Sequence, residues 1–259
     1  MNVETKIDST SSKPPEMRAE EWEARIDLAA CYRMIRHFGM DDLIYTHISA
    51  RVPGPEEHFL LNPFGLLYEE VTASNLVKVD LDGALVDEGT APINPAGYVI
   101  HSCVHDARPE MHCVIHTHTT AGVAVSAQTE GLLPISQTGL LYKDLIGYHE
   151  YEGLALDAAE QKRLLADLGS EKQILILRNH GLLTCGKTIP EAFIMMYYLE
   201  QACRMQIAAQ AGGGIVTPPK PVQDKAHAQA MTGLGAGLGE REFEALKRRL
   251  AREGENYAV

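Results

Sequence analysis

Between Ala19 and His37 the apolar residues Trp22, Ile26, Leu28, Ala29, Tyr32 and Ile35 recur at helical spacing. That spacing predicts an amphipathic helix. Short β-branched or alternating runs follow at Thr46–Val52, His58–Asn62 and Leu76–Leu81, separated by Pro and Gly, and these predict strands. Further on, Gly97–Asp106 and Thr119–Gln128 predict helices on either side of an apolar strand, Cys113–Thr117. Asp157–Leu168 reads as a helix, Gln173–Leu177 as an apolar strand, Gly181–Cys185 as its partner and Pro190–Gly212 as a long helix. A linker with Gly-Gly-Gly and Pro-Pro spans Gly212–Val222, and a charged helix covers Glu240–Arg252. Alternation of this kind predicts an α/β sandwich, with helices covering a central sheet. No internal repeat is present.

Composition sharpens the class. The chain's 259 residues can bury a full core in one large domain, expected over residues 18–213. A polar, Pro-containing arm (1–17) precedes it, and a linker with a helical tail (214–259) follows. The net charge of -12 argues against a nucleic-acid partner or an anionic membrane, which need a basic surface. No apolar stretch approaches the roughly 18 to 20 residues that cross a bilayer, and Met1–Met17 lacks an apolar signal core, so the expected location is cytoplasmic. Cys31, Cys103, Cys113, Cys185 and Cys203 form no CxxC pair. They suit a reducing compartment and argue against a cysteine zinc cluster, so any metal is expected to use other ligands.

The chemistry points to histidine. His116 and His118 stand at i and i+2 where an apolar strand ends, and strand alternation sends both imidazoles from one face. Two histidines there can also be solvated polar residues. A second apolar strand, Ile174–Leu177, stops just before His180 and Gly181. His180 alone could be a satisfied core residue. If the two strands are neighbours in the sheet, three imidazoles meet, and three neutral nitrogens leave a coordination position open for substrate or water.

Several motifs occur in order: Asn94-Pro95-Ala96-Gly97, His101, Ala107-Arg108-Pro109, Val114-Ile115-His116-Thr117-His118, Gly131-Leu132-Leu133-Pro134-Ile135-Ser136, Tyr148-His149-Glu150-Tyr151-Glu152-Gly153 and Leu177-Arg178-Asn179-His180-Gly181-Leu182. Together they resemble the class II aldolase/adducin family, from about Glu20 to Gly213, and in particular the adducin head and its bacterial relatives. The resemblance implies a three-layer α/β/α sandwich around a mixed, largely antiparallel sheet. It implies a divalent metal on His116, His118 and His180, with zinc the default and iron, manganese, cobalt or nickel able to use the same ligands. A homotetramer with sites near subunit boundaries is implied as well. Met195, Met196, Tyr197 and Leu199 on the long helix could supply contact surface or lie in the core.

The chain also departs from the sugar-phosphate aldolases of that family. Their P-S-S-E segment, which supplies a proton-handling glutamate, reads Asn94, Pro95, Ala96, Gly97 here, and their G-N-x-S phosphate loop reads Thr46, His47, Ile48, Ser49, although Gly65 survives. A sugar phosphate is therefore not the expected substrate, since a dianion needs donors or positive charge around it. His47, His101 and Tyr142 become the candidates for acid/base work, with His149 beside them. Tyr142 enters because the aldolase tyrosine aligns with Thr138. Gly65, Asn94, Gly97 and Arg178 are candidates for the substrate side, Arg178 through a carboxylate or else as a structural ion pair. Tyr257 could reach a neighbouring subunit or fray with the terminus.

Three functions compete. The first is a metal-dependent lyase that makes or breaks a C–C bond in a small non-phosphorylated hydroxy- or oxo-carbonyl compound, the cation stabilising an enediolate. The second is a non-catalytic scaffold like the adducin head, which matches at Gly97. Adducins end in a lysine-rich extension and this sequence ends Glu255-Asn256-Tyr257-Ala258-Val259, which argues against an actin role. The third is a non-haem iron oxygenase or decarboxylase of an aromatic 2-oxo acid.

Overall fold

The computed structural model describes residues 13–87, 91–153, 158–234 and 237–259. Helix α1 (Ala19–His37) leads into strands β1 (His47–Arg51), β2 (His58–Leu61) and β3 (Val77–Asp80). Then come α2 (Pro95–Ala107), β4 (Cys113–Thr117), α3 (Thr120–Ser126), α4 (Gln137–Leu141), β5 (Ile146–His149) and α5 (Ala158–Leu168). The hairpin of β6 (Ile174–Leu177) and β7 (Gly181–Gly186) precedes α6 (Ile189–Ala211), α7 (Lys220–Leu234) and α8 (Glu240–Glu253).

The seven strands form one sheet in the order β3-β2-β1-β4-β7-β6-β5. Every pairing is antiparallel except β5 with β6, so the sheet is mixed and largely antiparallel, as the resemblance implies. The two-residue period of a strand divides the core between its faces. On β4, Cys113 and Ile115 join Ile174, Ile176 and Leu182 beneath α1, α6 and α8, whose Leu28, Phe193 and Phe243 are buried there. Val114 points the other way and joins Leu175, Leu183, Ile100 and Leu164 beneath α2 and α5. Two helical layers thus sandwich the sheet. Among the described residues no helix is long and apolar enough to cross a membrane.

Helix α6 is the main buried strut of the first layer. Its cap, Thr188, accepts a bond from the Glu191 N–H at 3.2 Å, and Pro190 occupies the first turn, where its missing N–H costs nothing. Met195, Met196 and Leu199 are all in this chain's own core, so only the half-buried Tyr197 of that cluster offers any surface.

Three elements were not expected. Strand β5 is only four residues and includes a glycine, and α4 is a five-residue turn. Helix α7 begins inside the expected linker, directly after Pro218 and Pro219, with Pro221 in its first turn. Helix α8 is docked rather than loose, with Phe243 and Leu250 buried. The last residues form a strap: the Ala73 N–H donates to the Tyr257 carbonyl and the Ser74 N–H to the Val259 carbonyl, each at 2.8 Å, and the Tyr257 ring is buried. Of the expected arm, residues 1–12 lie outside the described residues, as does Asp157 at the expected start of α5.

Candidate metal centre

Strands β4 and β7 are adjacent, with His116 opposite Leu183 and Thr117 opposite Leu182. This pairing brings His180, at the entrance of β7, beside the HxH pair at the exit of β4. Two backbone features let the strands close up. Asn179 adopts a left-handed φ of 57° in the three-residue β6–β7 turn, a conformation that asparagine tolerates. Gly181 lies so near the Thr117 carbonyl that any Cβ there would strike it.

The three imidazoles converge. His116 Nε2 lies 2.8 Å from His118 Nε2, which lies 2.9 Å from His180 Nε2. The ligand atoms of the three fall within 4.8 Å of one another. The outer nitrogens fix the tautomers. His116 Nδ1–H donates to the Leu182 carbonyl at 2.9 Å, and His118 Nδ1–H donates to the Asp42 carboxylate at 3.0 Å. With neutral rings both Nε2 atoms carry lone pairs, and two lone pairs 2.8 Å apart repel each other unless a proton or a metal cation lies between them. The residues present fit a divalent metal, with the backing carbonyl and carboxylate that metal-bound histidines ordinarily have. Burial also keeps His116 and His180 neutral: it lowers the His180 pKa to about 4 and pushes His116 well below its usual value, the neighbouring histidines adding to both effects.

A second group of histidines lies behind the first. His47 on β1 is the register partner of His116, and their rings are 5.6 Å apart. His101 on α2 packs against His47 at 4.2 Å. From there the hydrogen bonds run in one direction. His105 Nδ1–H donates to the Met111 carbonyl at 3.1 Å, so its Nε2 accepts from the Ser49 hydroxyl at 2.7 Å, and Ser49 Oγ accepts from His101 Nδ1–H at 2.7 Å. His101 Nε2 is left a lone pair. That atom is buried without a hydrogen-bond partner among the described residues, and both nitrogens of His47 are buried with the Gly97 and Thr46 backbone beside them. Burial first, and then neighbouring histidines, lower the His47 pKa to about 3 and push His101 far down.

Thr46, just before His47, holds a left-handed φ of 62°, uncommon for a β-branched residue. Its hydroxyl meets the Tyr68 hydroxyl at 2.7 Å, which helps to hold this backbone. The position is the one where the resemblance sets the glycine of the phosphate loop. At the other aligned position, a Cβ on Gly97 would meet His47 Cε1, Nδ1 and Nε2 at 2.5, 2.6 and 2.7 Å.

The remaining candidates are spread more widely. Asn94 immediately precedes α2, and its carbonyl accepts the Tyr98 N–H at 3.1 Å. Gly65 has a φ of 104° in an open turn. Arg178 donates to the Gln128 carbonyl at 2.6 Å and stacks over Tyr148 at 4.4 Å, which pins the segment after α3. His149 Nδ1–H donates to Asp167 at 2.8 Å, and the ring borders a narrow cleft shared with Tyr151, Glu160, Arg178 and His180. Tyr142 is buried in the larger core, and the groups that act on it are Tyr198, Glu242 and Glu191 rather than the histidines. Asp42, Ser49 and His105 were missed from the sequence. Asp42 sits in a polar loop without periodicity, and Ser49 and His105 reveal themselves only through pairing.

The family model for the class II aldolase and adducin N-terminal domain matches residues 26–207. The chain belongs to the class II aldolase/adducin family. Within this family it is similar to a crystal structure of an aldolase II superfamily protein from Pseudomonas syringae, at 52% identity and a TM-score of 0.88, covering 94% of this chain and 98% of that one. Alpha-adducin of Mus musculus is 44% identical over 240 residues, which is 87% of this chain and 32% of the adducin. L-fuculose 1-phosphate aldolase from Glaciozyma antarctica is 29% identical with a TM-score of 0.80, over 95% of this chain and 96% of that enzyme.

Proposed function

We propose that this class II aldolase/adducin family member is a divalent-metal lyase acting on a small, non-phosphorylated hydroxy- or oxo-carbonyl compound. The observation that carries this reading is the convergence of the His116, His118 and His180 Nε2 atoms, with Leu182 and Asp42 fixing the tautomers of the first two. A cation held there supplies Lewis-acid polarisation of a carbonyl, zinc being the default occupant. The chain's own residues then orient the substrate. His116 and His180 stay neutral and available, and the β4–β7 ladder keeps them in place before any ligand arrives. His47 and His101 form the wall on the α2 side and are the proton-handling candidates, whereas Tyr142 would need a contact that this single chain does not make. Threonine and histidine at positions 46 and 47, with glycine at 97, support a substrate without a phosphate.

Elemental analysis of the purified protein tests this first. About one divalent ion per chain, lost in His116→Ala and His118→Ala, and metal-dependent aldehyde release from a hydroxy-oxo compound are the expected results. A protein that takes up no divalent ion from replete medium would refute it. The similarity to alpha-adducin, together with Gly97, favours a second reading as a binding domain, and the same measurement separates the two. Light scattering at about four times the chain mass is expected if the homotetramer of the family holds here.

A further inference from the structure

We propose that the imidazole of His47, seated over Gly97, occupies the place of a site carboxylate, and that the site in consequence selects substrates bringing a carboxylate of their own. The inference rests on the metal reading above and adds the substrate class. Its basis is a steric exclusion between two elements. The His47 ring lies where a side chain on α2 would leave residue 97, at 2.5 to 2.7 Å from the ideal Cβ position. Glutamate at 97 and this placement of the His47 ring cannot coexist. The ring is buried, and no side chain among the described residues hydrogen-bonds either of its nitrogens.

Charge then decides the ligand. An imidazole never supplies negative charge, whatever its protonation. Among the described residues the only carboxylate bonded to a ligand is Asp42, on His118. Of the carboxylates in the cleft beside His180, Glu160 faces His149 at 3.5 Å, Glu150 faces Arg178 at 3.9 Å and Glu152 pairs with Arg163, while Asp167 bonds His149 at 2.8 Å. Among the described residues the two charges of a divalent cation thus meet one hydrogen-bonded carboxylate, at a half-buried centre where uncompensated charge is costly. A chelating monoanion restores neutrality through one oxygen of a carboxylate and one of an adjacent hydroxyl or carbonyl. A 2-hydroxy or 2-oxo acid has that form, and a neutral hydroxyketone does not.

The test compares two chelators of equal shape, glycolate and glycolamide, titrated into cobalt-loaded protein and followed by the visible spectrum. The cobalt spectrum without either ligand reports on the metal reading. If cobalt does not bind, that reading and this inference fail together. If cobalt binds, glycolate is expected to bind at least about tenfold more tightly than glycolamide. Equal affinities would overturn the inference and leave the metal reading standing. The His47→Asn/Gly97→Glu double variant, with a carboxylate restored, should lose most of that preference, and a preference that survives unchanged also overturns it. Thermal midpoints give a readout independent of metal. Gly97→Glu alone should be destabilised, and adding His47→Asn should recover most of the loss. A single variant as stable as the parent would show that the ring does not claim the space.

Discussion

Acid should destabilise this fold through His105, and the size of the effect can be worked from its surroundings. His105 is buried, bonded to Met111 and Ser49 and stacked on Phe59 at 4.5 Å. Desolvation first and Arg51 second lower its pKa from 6.5 to about 3. In the unfolded chain the same imidazole takes up a proton near 6.5, so between those values the unfolded state binds more protons than the folded one. Stability is full above the unfolded pKa and is lost as pH falls. At pH 5 the loss from this group is about 2 kcal/mol, a large part of the roughly 5 to 15 kcal/mol that holds a domain together. Urea midpoints of metal-free wild type and His105→Gln at pH 7.5 and 5.0 measure it. The variant will be less stable at both pH values, since it loses the stack. Its fall between them, though, should be about 2 kcal/mol smaller than that of wild type. Identical falls would refute the reasoning.

Other perturbations separate site chemistry from folding. Asp42→Asn removes the charge behind His118 and should weaken metal binding about 10- to 100-fold, with little change in the urea midpoint because the carboxylate is 42% exposed. Thr46→Val keeps the strained backbone and discards the bond to Tyr68, so it should cost about 1 to 2 kcal/mol in denaturant unfolding. Thr46→Gly, which relieves the strain as it loses the bond, should be closer to neutral. Tyr257→Phe should leave stability within about 0.5 kcal/mol, since its buried hydroxyl has no partner, whereas Tyr257→Ala should cost about 3 to 5 kcal/mol. A loss of turnover in the Phe variant without a loss of stability would show the hydroxyl acting outside its own chain.

The legible parts of the molecule were those written in local pattern. Helix α1 has the expected ends because its apolar face is wide and regular, and β4 was given by an unbroken apolar run ending in two histidines. Strand β5 was not, because Ile146–His149 is short and its glycine packs beneath the backbone of α5, so its existence depends on parallel pairing with β6. Helix α7 was hidden by the prolines at its start, which read as a linker although proline is tolerated in a first helical turn. The metal histidines were legible as two strand ends but not as a site. What joins them is the β4–β7 ladder between residues more than sixty apart, and no local pattern carries that register.

The histidines behind the triad show why such a site escapes pattern reading. On β1, Ile48 and Ala50 face the larger core, and the alternating positions carry His47 and Ser49 toward α2. A sheet face covered by a helix ordinarily calls for apolar residues there, and valine at 47 and 49 would avoid the cost of burying polar groups. The chain instead buries three imidazoles and a hydroxyl, satisfies Ser49 and His105, and leaves His101 Nε2 without a hydrogen-bond partner among the described residues, its ring packed against His47. A network kept for folding alone would have no reason to place its deficit there. The His47 ring fills the position that a Cβ on residue 97 would take, so the Gly97→Glu and His47→Asn variants decide whether this wall serves a ligand or the core.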